Sequence, residues 1–71
     1  MPESVYNVIE IIGSSPDSWE KAASAAVETA SKSLRDLRIA EVVEMDLQIE
    51  NGKVISYRTK LRLSFKYHAK G

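Results

Sequence analysis

The sequence contains no cysteine, and this absence removes two common ways of stabilising a short domain. Disulfides and thiolate metal sites are both excluded. The 71 residues form one domain at most, because a chain this short buries only about 60% of the surface that its unfolded form exposes. Small domains without cross-links usually depend on partner subunits or a bound metal. We therefore expect self-association, or a hard cation held by oxygen ligands.

A surplus of basic residues is missing as well. Ten Lys and Arg balance ten Asp and Glu, and the formal net charge is zero, whereas nucleic-acid-binding proteins normally carry a basic surplus. The apolar runs are only a few residues long, which is too short to span a membrane. The first residues, Met1-Pro2-Glu3-Ser4, lack the features of a secretory signal. We expect a cytoplasmic protein that binds neither nucleic acid nor membrane.

The first half of the chain predicts a strand and then a helix. Residues 5–12 are rich in β-branched residues and carry apolar side chains at both odd and even positions, which is typical of a strand that is covered on both faces. Ser15 is a good helix N-cap, and Pro16 suits the first helical position. Apolar residues then recur at helical spacing. We predict that the helix ends near Leu37.

The second half predicts a long antiparallel hairpin, because from Ile39 the apolar period changes to two. A two-residue Asn51-Gly52 loop would place apolar and charged residues on the same face. A three-residue loop over 50–52, with Gly52 left-handed in a bulge, keeps the faces consistent. That register places Glu44 opposite Arg58.

The amino-acid sequence resembles that of the dodecin family over nearly its whole length. Bacterial dodecins typically open with VYKVIEIVGSSP-x-SWE and an alanine-rich helix, and this chain reads VYNVIEIIGSSPDSWEKAASAAVETA. The later segments AEVVEM, IENG and YRTKLRLSFK also fit. The resemblance implies one α+β domain over 1–71, of β-α-β-β order, with a three-stranded antiparallel sheet wrapped around one helix. It also implies a hollow homododecamer. We expect residues 68–71 to be a loose tail.

The family is best known for flavin storage, and this chain departs from it at the flavin positions. Flavin-binding members usually carry a tryptophan just after the helix, where this chain has Ile39. A glutamine that bonds the flavin ring is replaced by Arg58. An aliphatic side chain does not stack as an indole does, and a cation replaces a neutral donor and acceptor. The resemblance thus implies ligand-pocket positions at Ile39, Glu44 and Arg58, with the usual flavin site altered.

An acidic row on the first hairpin strand is the other candidate site. Glu44 and Asp46 alternate with apolar residues and project from one face, so their carboxylates could bind calcium, which takes oxygen ligands. Some dodecin-like chains without the flavin tryptophan are associated with calcium, which supports this interpretation by resemblance. The alternative is a solvated face whose acidic residues pair with the basic residues of the next strand.

The sequence offers no catalytic constellation. The serines near residue 15 are expected to cap the helix, and the single partly buried carboxylate of Glu10 does not make an acid/base pair. Trp19 lies on the apolar helix stripe and is expected in the core or an interface rather than as a ligand platform. His68 falls in the predicted tail. We expect a protein that is not an enzyme.

Three functions remain open from the sequence. The leading hypothesis is a dodecin-like particle that sequesters a small molecule or a cation such as calcium. The second is a structural or partner-binding oligomer with vestigial pockets. The third is a flavin-storing dodecin whose pocket has been rearranged.

Overall fold

A computed structural model describes residues 3–67 of the chain. The elements follow the predicted β-α-β-β order, and one helix packs against a three-stranded sheet of order β1-β3-β2. Both strand pairs are antiparallel. The fold class predicted from the sequence is confirmed. The bounds are β1, Tyr6–Ser15; α1, Trp19–Ser31; β2, Leu37–Glu50; and β3, Lys53–Lys66.

The helix begins three residues later than predicted. Ser18 has an extended backbone, and its hydroxyl accepts a hydrogen bond from the amide of Lys21 at 3.0 Å, which is the N-cap contact. Ser15 instead belongs to β1, and its hydroxyl accepts from the amide of Asp17 at 3.0 Å. The turn between strand and helix therefore uses both serines, and the prediction of Ser15 as the cap was wrong.

The predicted end of the helix near Leu37 was also wrong. The helix stops at Ser31, and tight turns over the next residues bring the amides of Ser33 and Leu34 to the carbonyl of Ala30. Asp36 then takes a positive φ of 60°, which reverses the chain and lets β2 start at Leu37. The apolar spacing runs on through the loop, where Leu37 packs against the core and Leu34 is half-buried.

The hairpin turn is a two-residue loop. Glu50 pairs with Lys53, and both intervening residues have positive φ, 52° at Asn51 and 76° at Gly52, as a type I′ turn requires. The left-handed Gly52 was predicted correctly, but the three-residue loop was wrong. The register shift that reconciles the two faces lies inside the strands, where Gln48 pairs with Ser56 although Ile49 pairs with Val54. This bulge was not visible in the alternation pattern.

The core lies between α1 and the strand at the centre of the sheet. Leu61 and Leu63 of β3 are 1% exposed and pack under Ala26 of the helix. Alanine on the helix allows the closest approach at Gly13 of β1, where an added Cβ would lie 2.2 Å from the carbonyl oxygen of Ala22. Strand and helix are therefore in contact through their backbones at this point.

Candidate functional site

The outer face of the sheet, defined as the face turned away from α1, carries the charged side chains. Strand alternation places every second residue of β3 on this face, and its partners on both sides lie on it too. Three rows cross the sheet here. They are Glu10–Arg62–Glu41, Ile12–Lys60–Glu44 and Ser14–Arg58–Asp46.

Asp46 and Arg58 form the best-defined ion pair of this face. They are direct cross-strand partners, and the guanidinium donates from Nε to Oδ1 at 2.8 Å and from a terminal nitrogen to Oδ2 at 2.9 Å. This two-bond arrangement is the strong form of an arginine–carboxylate contact. Hydrogen bonding from Arg58 lowers the pKa of Asp46 below its ordinary value, and the pKa of Arg58 is raised, mainly by its hydrogen bond to Asp46.

Glu44 lies one row away from this pair. It is opposite Lys60 rather than Arg58, so the predicted Glu44–Arg58 pairing was wrong. The two-residue loop and the bulge at Ile55 each shift the register between the turn and Glu44 by one residue. Arg58 is a diagonal neighbour of Glu44, and the negative charge of Glu44 contributes to the raised pKa of Arg58. Two of the three predicted pocket positions, together with Asp46, therefore share one patch.

Ile39, the third predicted pocket position, lies elsewhere on the sheet. Its side chain is 67% exposed and its cross-strand partner is Ser64. Ser64 lies six positions from Arg58 along β3, which is about 20 Å along a strand. A single chain thus keeps Ile39 and Arg58 apart, and a ligand that contacts both positions would have to lie between two copies.

A charge cluster at Glu10 was missed by the sequence analysis. Arg62 donates to Glu10 at 3.0 Å and to Glu41 at 3.4 Å, and Lys60 lies 3.7 Å from Glu10. Hydrogen bonding from Arg62, then the charge of Lys60, lowers the pKa of Glu10. The alternation of β1 places Glu10 on the outer face. The missing signal was the position of β1 beside β3, which local sequence patterns do not reveal.

Trp19 connects the helix to the candidate patch. Its indole Nε1 donates to the backbone carbonyl of Asp46 at 3.1 Å, and its ring meets Tyr57 edge-on at 5.2 Å. The hydroxyl of Thr59 donates to the carbonyl of Trp19 at 3.0 Å. The indole N–H and the backbone carbonyl of Trp19 therefore both fix the first turn of α1 against β2 and β3. The half-buried indole packs against Tyr57, and its expected place in the core or an interface stays a prediction.

The patch offers few ligands to a metal within one chain. Over residues 3–67, no three acidic or histidine side chains come together in a way that could hold a metal ion. Glu44 and Asp46 remain a pair of carboxylates on one exposed face. His68 and the predicted tail over 68–71 lie outside the described residues. In the same described range, no helix has the length and apolarity needed to cross a membrane.

Comparison with known proteins gives one consistent family. The sequence model of the Dodecin family matches residues 5–68. The calcium dodecin of Mycobacterium tuberculosis (strain ATCC 25618 / H37Rv) is 52% identical over 63 residues, which are 89% of this chain and 89% of that protein.

Solved structures show the same relationship. The dodecin from Streptomyces coelicolor matches with a TM-score of 0.92 and 37% identity, over 99% of this chain and 100% of that one. The calcium dodecin from Mycobacterium tuberculosis, described as a calcium-chelating immunodominant antigen with a novel calcium-binding site, matches with a TM-score of 0.82 and 49% identity, over 96% and 97% of the two chains.

Proposed function

The chain belongs to the dodecin family, and on that basis we propose that it forms a hollow homo-oligomer that sequesters a small ligand or a cation and catalyses no reaction. Dodecins are small-ligand-binding proteins, and the described part of the chain leaves a large apolar surface for copies of itself to cover. The particle expected from the family is a homododecamer. The proposed role is storage or buffering of the bound species.

Calcium is the cation that we propose. The observation that carries this is the pair of carboxylates, Glu44 and Asp46, on one exposed face of β2, in a chain 52% identical to a protein named calcium dodecin. The donor set fits in kind, since calcium binds carboxylate oxygens. It does not suffice in number, since calcium takes about 6–8 oxygen ligands and two carboxylates supply at most four. Water or a second copy would provide the others.

Calcium titration of the protein after chelator treatment tests the proposal. Isothermal titration calorimetry should detect binding to the natural chain and a clear loss of affinity in the double variant Glu44→Gln/Asp46→Asn. The matched control is Glu20→Gln/Glu28→Gln, which removes two charges from exposed positions of α1 and should bind as the natural chain does. Equal weakening by both variants would show that only net charge matters, and no binding at all would reject calcium.

We further propose that the family's usual flavin storage is lost. Ile39 is aliphatic where flavin-binding dodecins stack a tryptophan, and Arg58 replaces the ring-bonding glutamine. The guanidinium of Arg58 is also engaged by both carboxylate oxygens of Asp46, so its donors are directed to that residue. These three observations support the proposed loss of ordinary flavin binding.

Two alternatives from the sequence have distinct signatures. A yellow protein with quenched emission would indicate flavin held in a rearranged pocket. A colourless particle that binds no calcium would indicate a structural or partner-binding oligomer. Native mass spectrometry distinguishes these cases in one measurement, because it reports both the size of the particle and any retained ligand.

A further inference from the structure

The guanidinium of Arg58 binds the same carboxylate oxygens of Asp46 that a cation would need. Both carboxylate oxygens of Asp46 accept from this one guanidinium, at 2.8 and 2.9 Å. A guanidinium so placed satisfies the charge and the geometry of the carboxylate at once. Calcium and Arg58 therefore cannot both hold Asp46 in this way.

We propose that Arg58 competes with calcium for the carboxylate of Asp46. The guanidinium keeps this carboxylate occupied until calcium displaces it. The inference rests on the proposed function, because it concerns how readily the Glu44–Asp46 pair becomes available. The measured calcium affinity then depends on the difference in free energy between two states of Asp46. In one state Asp46 binds the arginine, and in the other it binds the metal.

The exposure of the pair permits this exchange. The side chains of Arg58 and Asp46 are 44% and 45% exposed, so the guanidinium can leave into water without crossing the core. Ion pairs with this much exposure contribute little to stability, which makes displacement by a divalent ion feasible. Glu44, the diagonal neighbour, attracts Arg58 while the pair is closed and becomes a second carboxylate for calcium when it is open.

The neighbouring contacts confine the exchange to side chains. The backbone of Asp46 is fixed from the helix side by the indole of Trp19 at 3.1 Å. The next cation on β3, Lys60, contacts Glu10 of the neighbouring strand β1 at 3.7 Å on the same face. Arg58 is therefore the basic residue positioned to compete at Asp46, and opening needs no movement of β2.

The test compares calcium affinity in three single-residue variants of the full chain. Arg58→Gln removes the competitor and should bind calcium about threefold to fivefold more tightly, the range expected for release of an exposed ion pair. Arg58→Lys keeps the positive charge but not the two-bond guanidinium contact, and its calcium affinity should lie between those of the natural chain and Arg58→Gln. Arg35→Gln removes a cation from the exposed loop before β2 and should change the affinity far less than Arg58→Gln does.

The double variant Arg58→Gln/Asp46→Asn separates competition from a general charge effect. If Arg58 acts through Asp46, the gain from Arg58→Gln should vanish in the Asp46→Asn background. Tight binding by the natural chain with no gain in Arg58→Gln would overturn the competitor while leaving calcium binding intact. Absence of calcium binding from every variant would overturn both. Circular dichroism and light scattering check that each variant keeps the fold and assembly of the natural chain.

Discussion

Gly52 is the residue whose conformation most directly sets the hairpin. Its φ of 76° lies in the left-handed region that β-branched side chains resist, and a Cβ added there would meet no atom within 4 Å. We expect Gly52→Val to lower the free energy of unfolding by about 1 kcal/mol or more, through backbone strain alone. Gly52→Asn is the control, because asparagine tolerates a positive φ better than valine does. Equal unfolding midpoints in urea for the two variants would contradict this origin.

Ile39 and Arg58 are the residues on which flavin loss depends. By analogy with nucleobases, whose stacking on an aromatic side chain is worth roughly 1–3 kcal/mol, a flavin ring gains from a flat partner that Ile39 does not supply. Riboflavin should therefore keep most of its fluorescence when the natural protein is added. The double variant Ile39→Trp/Arg58→Gln should restore measurable quenching if the rest of the pocket is inherited.

Other outcomes of the riboflavin titration have definite meanings. Strong quenching by the natural protein would reject the proposed loss. Failure of both proteins to quench would place the loss at further positions, and Ala40 and Asp46 would be tested next. The single variant Ile39→Trp measures how much of the restored quenching comes from the indole alone.

Glu10 makes the stability of the fold sensitive to acid. Its pKa is lowered from an ordinary value of 4.5, first by hydrogen bonding from Arg62, so its charged form is favoured in the folded state. The stabilisation is present above pH 4.5 and is lost as the pH falls through the lowered pKa. Denaturation in urea at several pH values below neutrality should show this loss, and Glu10→Gln should flatten it. An unchanged pH profile in Glu10→Gln would assign acid sensitivity to other groups; Glu28→Gln on the helix is the control.

At the scale of the elements, the contact between Gly13 and the helix leaves no room for a side chain. An added Cβ would lie 2.2 Å from the carbonyl oxygen of Ala22 and 2.9 Å from the Cβ of Ala26. Because the first of these is backbone, the helix as a whole must move away. We expect Gly13→Ala to cost about 1–3 kcal/mol of unfolding free energy, measured by urea denaturation. Ser14→Ala, at an exposed neighbouring position, should have little effect.

Element order was predictable from the sequence, and element boundaries were less so. Periodicity identified the strands and the helix because burial of one face imposes it. It misplaced the helix end because Leu34 and Leu37 continue the spacing after Ser31, where the chain has already left the helix. The N-cap was misplaced because the sequence offers serines at both 15 and 18, and either could cap a helix.

A bulge explains why the candidate site was only partly predictable. Alternation correctly placed Glu44 and Asp46 on one face, but the partner of each depends on every extra residue between it and the turn. The bulge at Ile55, which lies between the turn and both partners, changes those pairings, and Ile55 looks like an ordinary member of an alternating strand. The Asp46–Arg58 pair could therefore be identified only from the folded chain.

At the scale of the whole molecule, one chain is too extended to be a compact domain. Its radius of gyration is 14.8 Å and its longest dimension is 54 Å, whereas a compact chain of this length has a radius of gyration of about 11 Å. The excess comes from the hairpin, whose 14-residue strands are longer than the helix can cover. Within residues 3–67, apolar side chains near the turn of the hairpin therefore stay exposed, among them Met45, Leu47 and Ile49.

Assembly is the prediction that follows from this shape. Within residues 3–67, the buried apolar core consists of Ala22, Ala26, Leu61 and Leu63, and alanines contribute little apolar area. Large apolar side chains on all three strands stay exposed, among them Ile39 at 67% and Val8 at 55%. Such a surface is typical of a protein–protein interface. Because the chain belongs to the dodecin family, we expect the partner to be a second copy of the chain.

Multi-angle light scattering during size-exclusion chromatography should therefore show a single particle near twelve subunits, each of 7.9 kDa. The particle should persist on dilution to micromolar concentration, because dissociation would return the exposed apolar side chains of all three strands to water. The same measurement on chelator-treated protein, with and without calcium, shows whether the cation contributes to assembly. A monodisperse monomer that remains folded by circular dichroism would contradict the prediction, since it would show that the small core suffices and that the exposed strands tolerate water.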